Sequence, residues 1–276
     1  MRCFFLLLFL SFSTRTSQAQ KPILPAAEPT KLVVTYRLTY QPDSTSPETR
    51  SESMQLLVGK TLSRFESVGA YLADSLTKEA RWLPATPANM QSVGNRFMAQ
   101  PKSGFKYKIY KQAASGRVHY YDQIGQALYS YEEPAPLLRW TITSATSTIA
   151  GYACQRASTT FAGRQFEAWF TREIPVAEGP YKFSGLPGLI VKISDTRHYY
   201  VFELTRLVTP PTPETIELPA ADAAIRTTKA LFREGKRDYE ATLTEKLAAK
   251  GHQVSEQDRR EYQLKLKKRN NPLELR

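Results

Sequence analysis

The hexapeptide Gly185-Leu186-Pro187-Gly188-Leu189-Ile190 decides how the chain is organised, because it marks a junction between two stretches with strand character. Proline fixes φ at about −65° at the second position of a β-turn, and glycine tolerates the positive φ that a type II turn requires at the third. Residues 186–189 therefore predict a type II turn, with one strand ending before it and another starting at Leu189. We expect the chain to reverse its direction here.

Strand patterns fill most of residues 31–208. Between residues 32 and 40, apolar side chains occupy every second position, and a period of two is typical of a half-buried strand. Almost no helix long enough for a crossover separates these stretches, so neighbouring strands are predicted to pair antiparallel. The remaining strand-like stretches are 54–58, 62–68, 105–109, 118–121, 127–131, 139–148, 152–161, 165–171, 189–194 and 199–208.

Helical spacing follows the proline-rich segment 210–213. Helices are predicted at 222–234 and at 238–250, the second with Asp238 as its N-cap. A third helix is predicted to begin at Ser255, where Asp258 completes a capping box, and to run to about residue 268.

Together these patterns predict an α+β fold: a mainly antiparallel, curved β-sheet of about ten strands with C-terminal helices packed on it. The sheet core occupies residues 31–209, and residues 210–276 form a helical cover that we expect to belong to the same domain. A short helix is predicted at 71–82. Residues 83–102 contain three prolines and are predicted to be irregular.

The N-terminus is typical of an exported protein. Residues 1–19 combine an early arginine, a short apolar core and a small-residue cleavage site, which predicts a signal peptide, and 20–30 read as an extended leader. We expect a periplasmic, outer-membrane-associated or secreted protein. No later stretch reaches the roughly 18–20 apolar residues of a transmembrane helix. Cys154 then remains as the only cysteine, which excludes an intrachain disulfide.

Several short motifs resemble one family. In order they are 151–157 around Cys154, Gly163-Arg164, 168–171 around Trp169, Ile174-Pro175, Gly179-Pro180, the hexapeptide and Asn271-Pro272-Leu273-Glu274-Leu275. They resemble the GLPGLI family, exported proteins of the Bacteroidota that are named after the hexapeptide. The resemblance implies no activity, since none is established for the family. We interpret the following motif residues as mainly structural: Cys154, Arg164, Trp169, Pro175, Gly179, Pro180, Gly185, Leu186, Pro187, Gly188, Leu189, Ile190, Asn271 and Pro272.

No catalytic or metal-binding pattern stands out. The histidines His119, His198 and His252 are not spaced as metal ligands, and the chain lacks a Gly-x-Ser-x-Gly elbow. Cys154 lies in a predicted strand and is interpreted as a small buried hydrophobe. We therefore assign no catalytic, cofactor-binding or metal-binding residue, and we expect no cofactor.

The strand at 165–171 carries large apolar groups on both faces. Phe166 and Phe170 point to one face and Trp169 to the other, which predicts a central strand covered on both sides. Arg164 precedes this strand. We expect it to pair with an acidic neighbour, and contact with a ligand is the alternative.

The chain is basic, with 38 Lys and Arg against 26 Asp and Glu and a net charge of +12. Lys106 and Lys108 alternate with Phe105 and Tyr107, so the lysines are predicted to meet water while the aromatic rings fill the core. This argues against a nucleic-acid platform, and no nucleic-acid partner is expected. A second basic run at 265–269 is interpreted as a solvated helix end, with binding to an anionic envelope surface as the alternative.

These observations favour a non-enzymatic binding or carrier protein of the cell envelope, whose partner is an envelope protein or a hydrophobic ligand. By analogy alone, the fold is similar to periplasmic lipoprotein carriers, which hold an acyl chain between a sheet and helices. One alternative is a hydrolase whose site assembles from distant residues such as Asp195, His198 or Glu203. Another is an adaptor subunit of an outer-membrane assembly. The oligomeric state is not determined by these patterns.

Overall fold

The computed structural model describes residues 26–136 and 138–275, which form fourteen strands and five helices. The strands are β1 (Glu28–Pro29), β2 (Leu32–Tyr40), β3 (Arg50–Val58), β4 (Leu62–Ser67), β5 (Lys108–Gln112), β6 (Arg117–Ile124), β7 (Ala127–Pro134), β8 (Thr141–Ile149), β9 (Tyr152–Phe161), β10 (Arg164–Thr171), β11 (Leu189–Asp195), β12 (Tyr200–Val208), β13 (Thr215–Ile216) and β14 (Ile225–Arg226). The helices are α1 (Val68–Ala80), α2 (Pro87–Ala99), α3 (Lys229–Ala241), α4 (Leu243–Ala249) and α5 (Glu256–Lys267).

Twelve of these strands form one open sheet, in the order β14-β7-β6-β5-β4-β3-β2-β12-β11-β10-β9-β8. Neighbouring strands pair antiparallel except β14 and β7, which pair parallel. The expected mainly antiparallel α+β fold is confirmed. The sheet has more strands than the expected ten or so, in part because a two-residue strand such as β14 is too short to carry a periodic pattern.

The inner face of this sheet carries the hydrophobic core, and the core shows that the sheet curves. Phe161 of β9 and Tyr107, beside β5, both contact the ring of Tyr181, with centroid distances of 6.3 and 5.7 Å. β9 and β5 lie seven strand positions apart in the sheet order. A flat sheet would hold them about 34 Å apart. The two halves of the sheet therefore bend towards each other around residues 172–188.

Residues 172–188, which we call the inner loop, connect β10 to β11 along this inner face. The hexapeptide does not form the predicted type II turn. Instead, the N–H of Gly188 donates to the carbonyl oxygen of Leu186 at 2.8 Å, which makes a three-residue turn around Pro187. The prediction of a strand before this turn was also wrong, because residues 181–183 have no regular secondary structure. The reversal between β10 and β11 is spread over the whole inner loop.

The helix at 71–82 is confirmed as α1, but the prediction of an irregular stretch at 83–102 was wrong. α2 occupies most of it. The hydroxyl of Thr86 accepts from the N–H of Asn89 at 3.3 Å, and Pro87 stands in the first turn, where its lack of an N–H costs nothing. Proline here starts a helix instead of preventing one.

Of the C-terminal helices, α3 packs on the sheet against β6 and β7, while α4 and α5 pack against α3 and against each other. Their boundaries differ from the prediction. The helix predicted from residue 222 begins only at Lys229, because β14 lies before it. Asp238 lies inside α3, not at an N-cap, and the break between α3 and α4 falls at Thr242. The predicted α5 is confirmed together with its capping box, in which Ser255 and Asp258 each bind the other's backbone N–H.

β10 is covered on one face only, so the prediction of double coverage was wrong. Phe166 and Phe170 are buried in the core. On the opposite face Trp169 is only partly buried, and Glu167 forms a half-exposed ion pair with Arg156 at 3.4 Å.

The described residues include only part of the N-terminal segments predicted from the sequence. The predicted signal peptide lies outside the described residues, as does the leader up to residue 25. The remainder of the leader includes β1, which pairs with β13. The carboxylate of Glu28 accepts from the N–H groups of Thr61 and Leu62 at 2.9 and 2.6 Å and so fixes the turn between β3 and β4.

Candidate functional site

A cleft of about 840 Å³ lies between the inner face of the sheet and α3. Ligand-binding clefts typically measure about 300–1,000 Å³, so this one is large enough for a small organic molecule. Its walls combine aromatic and charged side chains, and the rings contact one another: the ring centroids of Tyr40 and Phe105 are 4.9 Å apart. The aromatic residues that line it are Tyr40, Phe105, Tyr107, Tyr120, Tyr181, Tyr200 and Phe232.

The charged residues that line the cleft leave an excess of positive charge. Each of the three acidic residues has a basic partner: Glu274 pairs with Arg233 at 2.9 Å, Asp122 with Lys236 at 2.6 Å, and Glu240 with Arg269 at 3.6 Å. Three further cations line the same cleft and form no ion pair within residues 26–136 and 138–275. These exposed cations are Arg50, Lys106 and Arg237.

One side of the cleft is closed by residues 270–275, which we call the C-terminal strap. Asn271 ties it to the end of β2, since its N–H donates to the carbonyl oxygen of Pro42 at 3.1 Å and its side chain donates to Gln41 at 2.7 Å. The hydroxyl of Tyr200 donates to the carbonyl oxygen of Asn271 at 2.6 Å. The strap is thus held by polar contacts to strands that are far from it in sequence.

Arg164 is the main anchor of the strap. Its buried guanidinium donates to the side chain of Asn271 at 2.5 Å and to the carbonyl oxygens of Pro272 and Leu273 at 2.6 and 3.1 Å. It also pairs with the buried carboxylate of Asp195 at 3.3 Å. The expected pairing of Arg164 with an acidic residue is therefore found. Four of its donors are used, which explains why a planar, permanently charged group is needed here.

Lys182 forms a second buried anchor. Its side chain is 1% exposed, and its Nζ lies 5.3, 5.6 and 5.5 Å from the ring centroids of Tyr120, Tyr131 and Tyr181. The ammonium group pairs with Glu133 and, at 2.8 Å, with Glu274 of the strap. A buried charge without partners would be very costly, and here the rings and carboxylates surround the ammonium group on several sides.

Glu274 collects more donors than any other carboxylate of the cleft. Besides Lys182, it accepts from the hydroxyl of Tyr181 at 2.7 Å and pairs with Lys229 and Arg233 of α3 at 2.6 and 2.9 Å. Burial alone would raise the pKa of this carboxyl, but the Lys182 charge and the donated hydrogen bonds lower the pKa to about 2. Glu274 therefore joins the strap to the inner loop and to α3.

The hexapeptide itself is a packing element. Leu186, Leu189 and Ile190 are buried, and the N–H of Gly185 donates to Ala177 at 3.0 Å within the inner loop. Gly188 has φ of +147°, and a Cβ there would overlap the carbonyl oxygen of Thr171. The hexapeptide therefore packs inside the protein, and none of its side chains lines the cleft.

Of the other motif residues, Asn271 and Pro272 line the cleft as part of the strap, whereas Cys154, Pro175, Gly179 and Pro180 do not. Gly179 lies against Ile190, since a Cβ there would sit 2.6 Å from the Ile190 Cδ1. Pro175 and Pro180 belong to the same inner loop. Cys154 is buried, as expected, and its burial raises the pKa of the thiol.

The hydrolase residues considered from the sequence are not brought together. Asp195 is buried and bound by Arg164 and by the N–H of Tyr200. Glu203 pairs with Lys192 at 2.8 Å away from the core, and His198 lies exposed in the turn after β11. Within the described parts of the chain, no group of three His, Cys, Asp or Glu side chains is arranged to hold a metal ion.

Sequence reasoning missed the buried charged residues that hold the strap beside the cleft. Lys182 lies in an irregular loop, where no periodicity indicates which way a side chain points. Its signal was present nonetheless: Lys182 stands between Gly179-Pro180 and the hexapeptide, and Glu274 stands inside the C-terminal motif. A charged residue within an otherwise apolar motif indicates a buried ion pair.

Comparison with known families finds one match. Residues 160–192 match a family model described as "Protein of unknown function (Porph_ging)". The matched stretch contains Arg164, the inner loop and the whole hexapeptide. It therefore coincides with the part of the chain that anchors the strap and packs against the inner face of the sheet. No curated protein matches the chain.

Two solved structures of PNGF-II, in the P21 and C2 space groups, are similar to this chain. Both superpose with a TM-score of 0.50, at 12% and 11% sequence identity. They cover 76% of this chain but only 34% and 33% of their own, so the chain spans about a third of the PNGF-II length. At this identity the similarity concerns the fold alone.

Among residues 26–136 and 138–275, no helix combines the length and the apolar character needed to cross a bilayer.

Proposed function

We propose that this protein is an exported, non-enzymatic binding protein of the GLPGLI family, and that it holds an anionic amphiphile in the cleft. The observation that carries the proposal is that one cleft of about 840 Å³ is lined both by aromatic rings and by three cations that form no ion pair within residues 26–136 and 138–275. An acyl or alkyl chain fits the aromatic walls, and an acidic head group fits the cations.

The aromatic walls favour a ligand with a long apolar part. Tyr40 and Phe105 line the cleft and are only partly buried, so they present ring surface to it. Each Å² of apolar surface removed from water contributes about 25 cal/mol. A purely polar ligand would leave this surface unused. A ligand with an apolar tail would gain from it along the whole cleft.

The cations that line the cleft add selectivity for an anion. Arg50, Lys106 and Arg237 have no acidic partner within the described residues, so an incoming carboxylate or phosphate displaces no existing ion pair. Hydrogen bonds between ionised groups are roughly twice as strong as neutral ones. A ligand that carries its negative charge at one end can therefore satisfy both parts of the cleft at once.

The proposed location and family are supported by sequence. The signal-like residues 1–19 support export, and the family model over 160–192 together with the 271–275 motif supports membership of the GLPGLI family. The hydrolase alternative lacks an assembled set of residues, since Asp195 is committed to Arg164. The adaptor alternative has no observation of its own at this cleft.

Displacement of a bound fluorescent dye tests the proposal. Purified protein is loaded with 1-anilinonaphthalene-8-sulfonate and titrated with dodecanoate, with dodecanol of the same chain length, and with acetate. We expect dodecanoate to displace the dye best, dodecanol to displace it more weakly, and acetate to have no effect. Replacing Lys106 and Arg237 by Gln should weaken dodecanoate and leave dodecanol unchanged.

A blocked cleft provides the matched control. Ala230 lines the cleft and is exposed, so Ala230→Trp fills the space without removing a buried contact, whereas Ala249→Trp adds the same ring to an exposed position in α4 away from the cleft. We expect only Ala230→Trp to abolish binding. Equal binding by both variants, or no saturable binding by the unmodified protein, would overturn the proposal.

A further inference from the structure

The hairpin of α1 and α2, residues 68–99, exposes large apolar side chains that the fold does not use. Trp82 is 88% exposed, Met98 82% and Met90 66%. α2 contains no buried residue over its thirteen positions. Large exposed apolar groups that lie together mark interaction surfaces more often than chance.

These side chains form a stripe because α2 is amphipathic and only one flank of its apolar face is covered. Met90, Val93 and Phe97 follow helical spacing. Val93 is half-buried and Phe97 lies at the edge of a second cleft beside α1, whereas Met90 and Met98 point away from the protein. Met90 and Met98 are separated by about 12 Å along the helix axis, and Trp82 lies in the turn that precedes α2.

The hairpin holds the stripe in place. The guanidinium of Arg96 donates to both carboxylate oxygens of Glu79 at 2.6 and 2.7 Å, which joins α2 to α1. The side chain of Gln100 donates to the carbonyl oxygen of Leu72 at 3.3 Å. The helix is also capped by Thr86. The apolar groups are therefore presented by an ordered element.

The charges around the stripe are positive. Residues 68–106 contain two acidic side chains, and both are neutralised, Glu79 by Arg96 and Asp74 by Lys108 at 2.6 Å. Four cations of this stretch form no ion pair within residues 26–136 and 138–275, and all four are exposed. They are Lys78, Arg81, Lys102 and Lys106.

We infer that α2 docks on an anionic lipid surface, parallel to the bilayer, with Trp82, Met90 and Met98 inserted between lipid head groups. Apolar side chains that protrude from a helix need a pocket in a protein partner but enter a fluid bilayer without one. Tryptophan prefers the membrane interface, and lysine and arginine side chains near it attract anionic lipids. The inference is independent of what the cleft binds.

The geometry also connects this docking surface to the cleft. The segment from Gln100 to Lys106 leaves α2 and enters the sheet, and its last residues, Gly104, Phe105 and Lys106, line the cleft. A bilayer that touches α2 therefore lies near the cations that line the cleft.

Sedimentation with vesicles tests the inference. The unmodified protein is mixed with vesicles of phosphatidylcholine alone or with a minority of phosphatidylglycerol, at low and high salt. We expect binding to the anionic vesicles that weakens with salt. The double substitution Trp82→Ser and Met98→Ser should reduce it at least about tenfold, and Lys78→Gln with Arg81→Gln about fivefold for each charge removed.

Matched substitutions elsewhere separate this surface from a general effect. Leu264 in α5 is 57% exposed, so Leu264→Ser removes a comparable apolar group, and Lys265→Gln with Lys267→Gln removes two charges from the other basic run. We expect none of these to change vesicle binding. No sedimentation with anionic vesicles, equal loss in the Leu264 or Lys265 variants, or capture of an envelope protein through Trp82 without vesicle binding would overturn the inference.

Discussion

The interior of the sheet and the α1–α2 hairpin distribute their side chains in opposite ways. Inside the sheet, charged groups are buried: Arg164 and Lys182 lie among aromatic rings and bind the C-terminal strap, Lys182 through Glu274. On the hairpin, apolar groups are exposed: Trp82 and Met98 contact mainly solvent. Both arrangements are the reverse of the usual one, in which charges face water and apolar groups do not.

This difference shows which part of the molecule stabilises the fold and which part is free to contact a partner. A buried charge network is costly unless every member is paired, so it fixes one conformation of strap, inner loop and α3. Exposed apolar groups on an ordered helix contribute nothing to the fold. Substitutions should therefore have large effects on stability in the first region and small effects in the second.

The largest effect is expected for Arg164→Met. It removes the anchor of the strap and leaves the carboxylate of Asp195 buried without its cation, which should cost about 3–5 kcal/mol of unfolding free energy. Arg156→Met is the matched control, because it breaks the half-exposed pair with Glu167 and should cost less than about 1 kcal/mol. Urea unfolding measures both. Similar losses in the two variants would contradict a structural role for the strap.

Acid should release the strap next. The folded pKa of Glu274 is lowered to about 2 from an ordinary value of 4.5, so its contribution is complete above pH 4.5 and is lost as the pH falls towards 2. The shift corresponds to a loss on the order of 3 kcal/mol. Urea unfolding at a series of pH values from about 6 to about 2 measures this loss. Glu274→Gln should flatten the dependence of the unfolding free energy on pH. An unchanged slope in that variant would argue against this assignment.

Gly188→Ala should destabilise the inner loop. Its Cβ would overlap the carbonyl oxygen of Thr171, so the backbone must move, at a cost of about 2–3 kcal/mol. Gly94→Ala in α2 is the comparison, since a Cβ there meets no atom within 4 Å and a helix gains about 0.5–1 kcal/mol from the change. Thermal unfolding gives both signs, and a loss at Gly94 would show that α2 is packed against something.

The smallest effect is expected for Trp82→Ser. An exposed side chain that contacts mainly solvent should change the unfolding free energy by less than about 0.5 kcal/mol. Urea unfolding of the isolated protein measures it. A clear loss of stability would mean that Trp82 serves the fold, and it would weaken the contrast between the two regions.

Local patterns account for what the sequence predicts well. β9 has the predicted bounds, 152–161, because turns with positive φ at Ala150-Gly151 and Ala162-Gly163 limit it on both sides, and α5 follows from its capping box. The alternation around Tyr107 also placed its ring in the core and Lys106 in water. Each of these signals lies within a few residues of the element that it predicts.

Long-range contacts account for the features that the sequence does not predict. Arg164 and Asn271 meet across 107 residues, and no local pattern could pair them. The inner loop has no regular period, so neither the inward position of Lys182 nor the three-residue turn at Pro187 follows from the sequence. The failure to predict α2 has a different reason. Prolines usually end a helix, but Pro87 lies in the first turn, the one part of a helix that favours proline.

Amide hydrogen exchange with and without dodecanoate tests the central claim most directly, because it reports on both regions in one measurement. If the cleft binds an anionic amphiphile, exchange should slow at residues 104–107, in α3 and in the strap, and should not change in α2. Unchanged exchange in α3 and the strap, or protection confined to α2, would contradict the account.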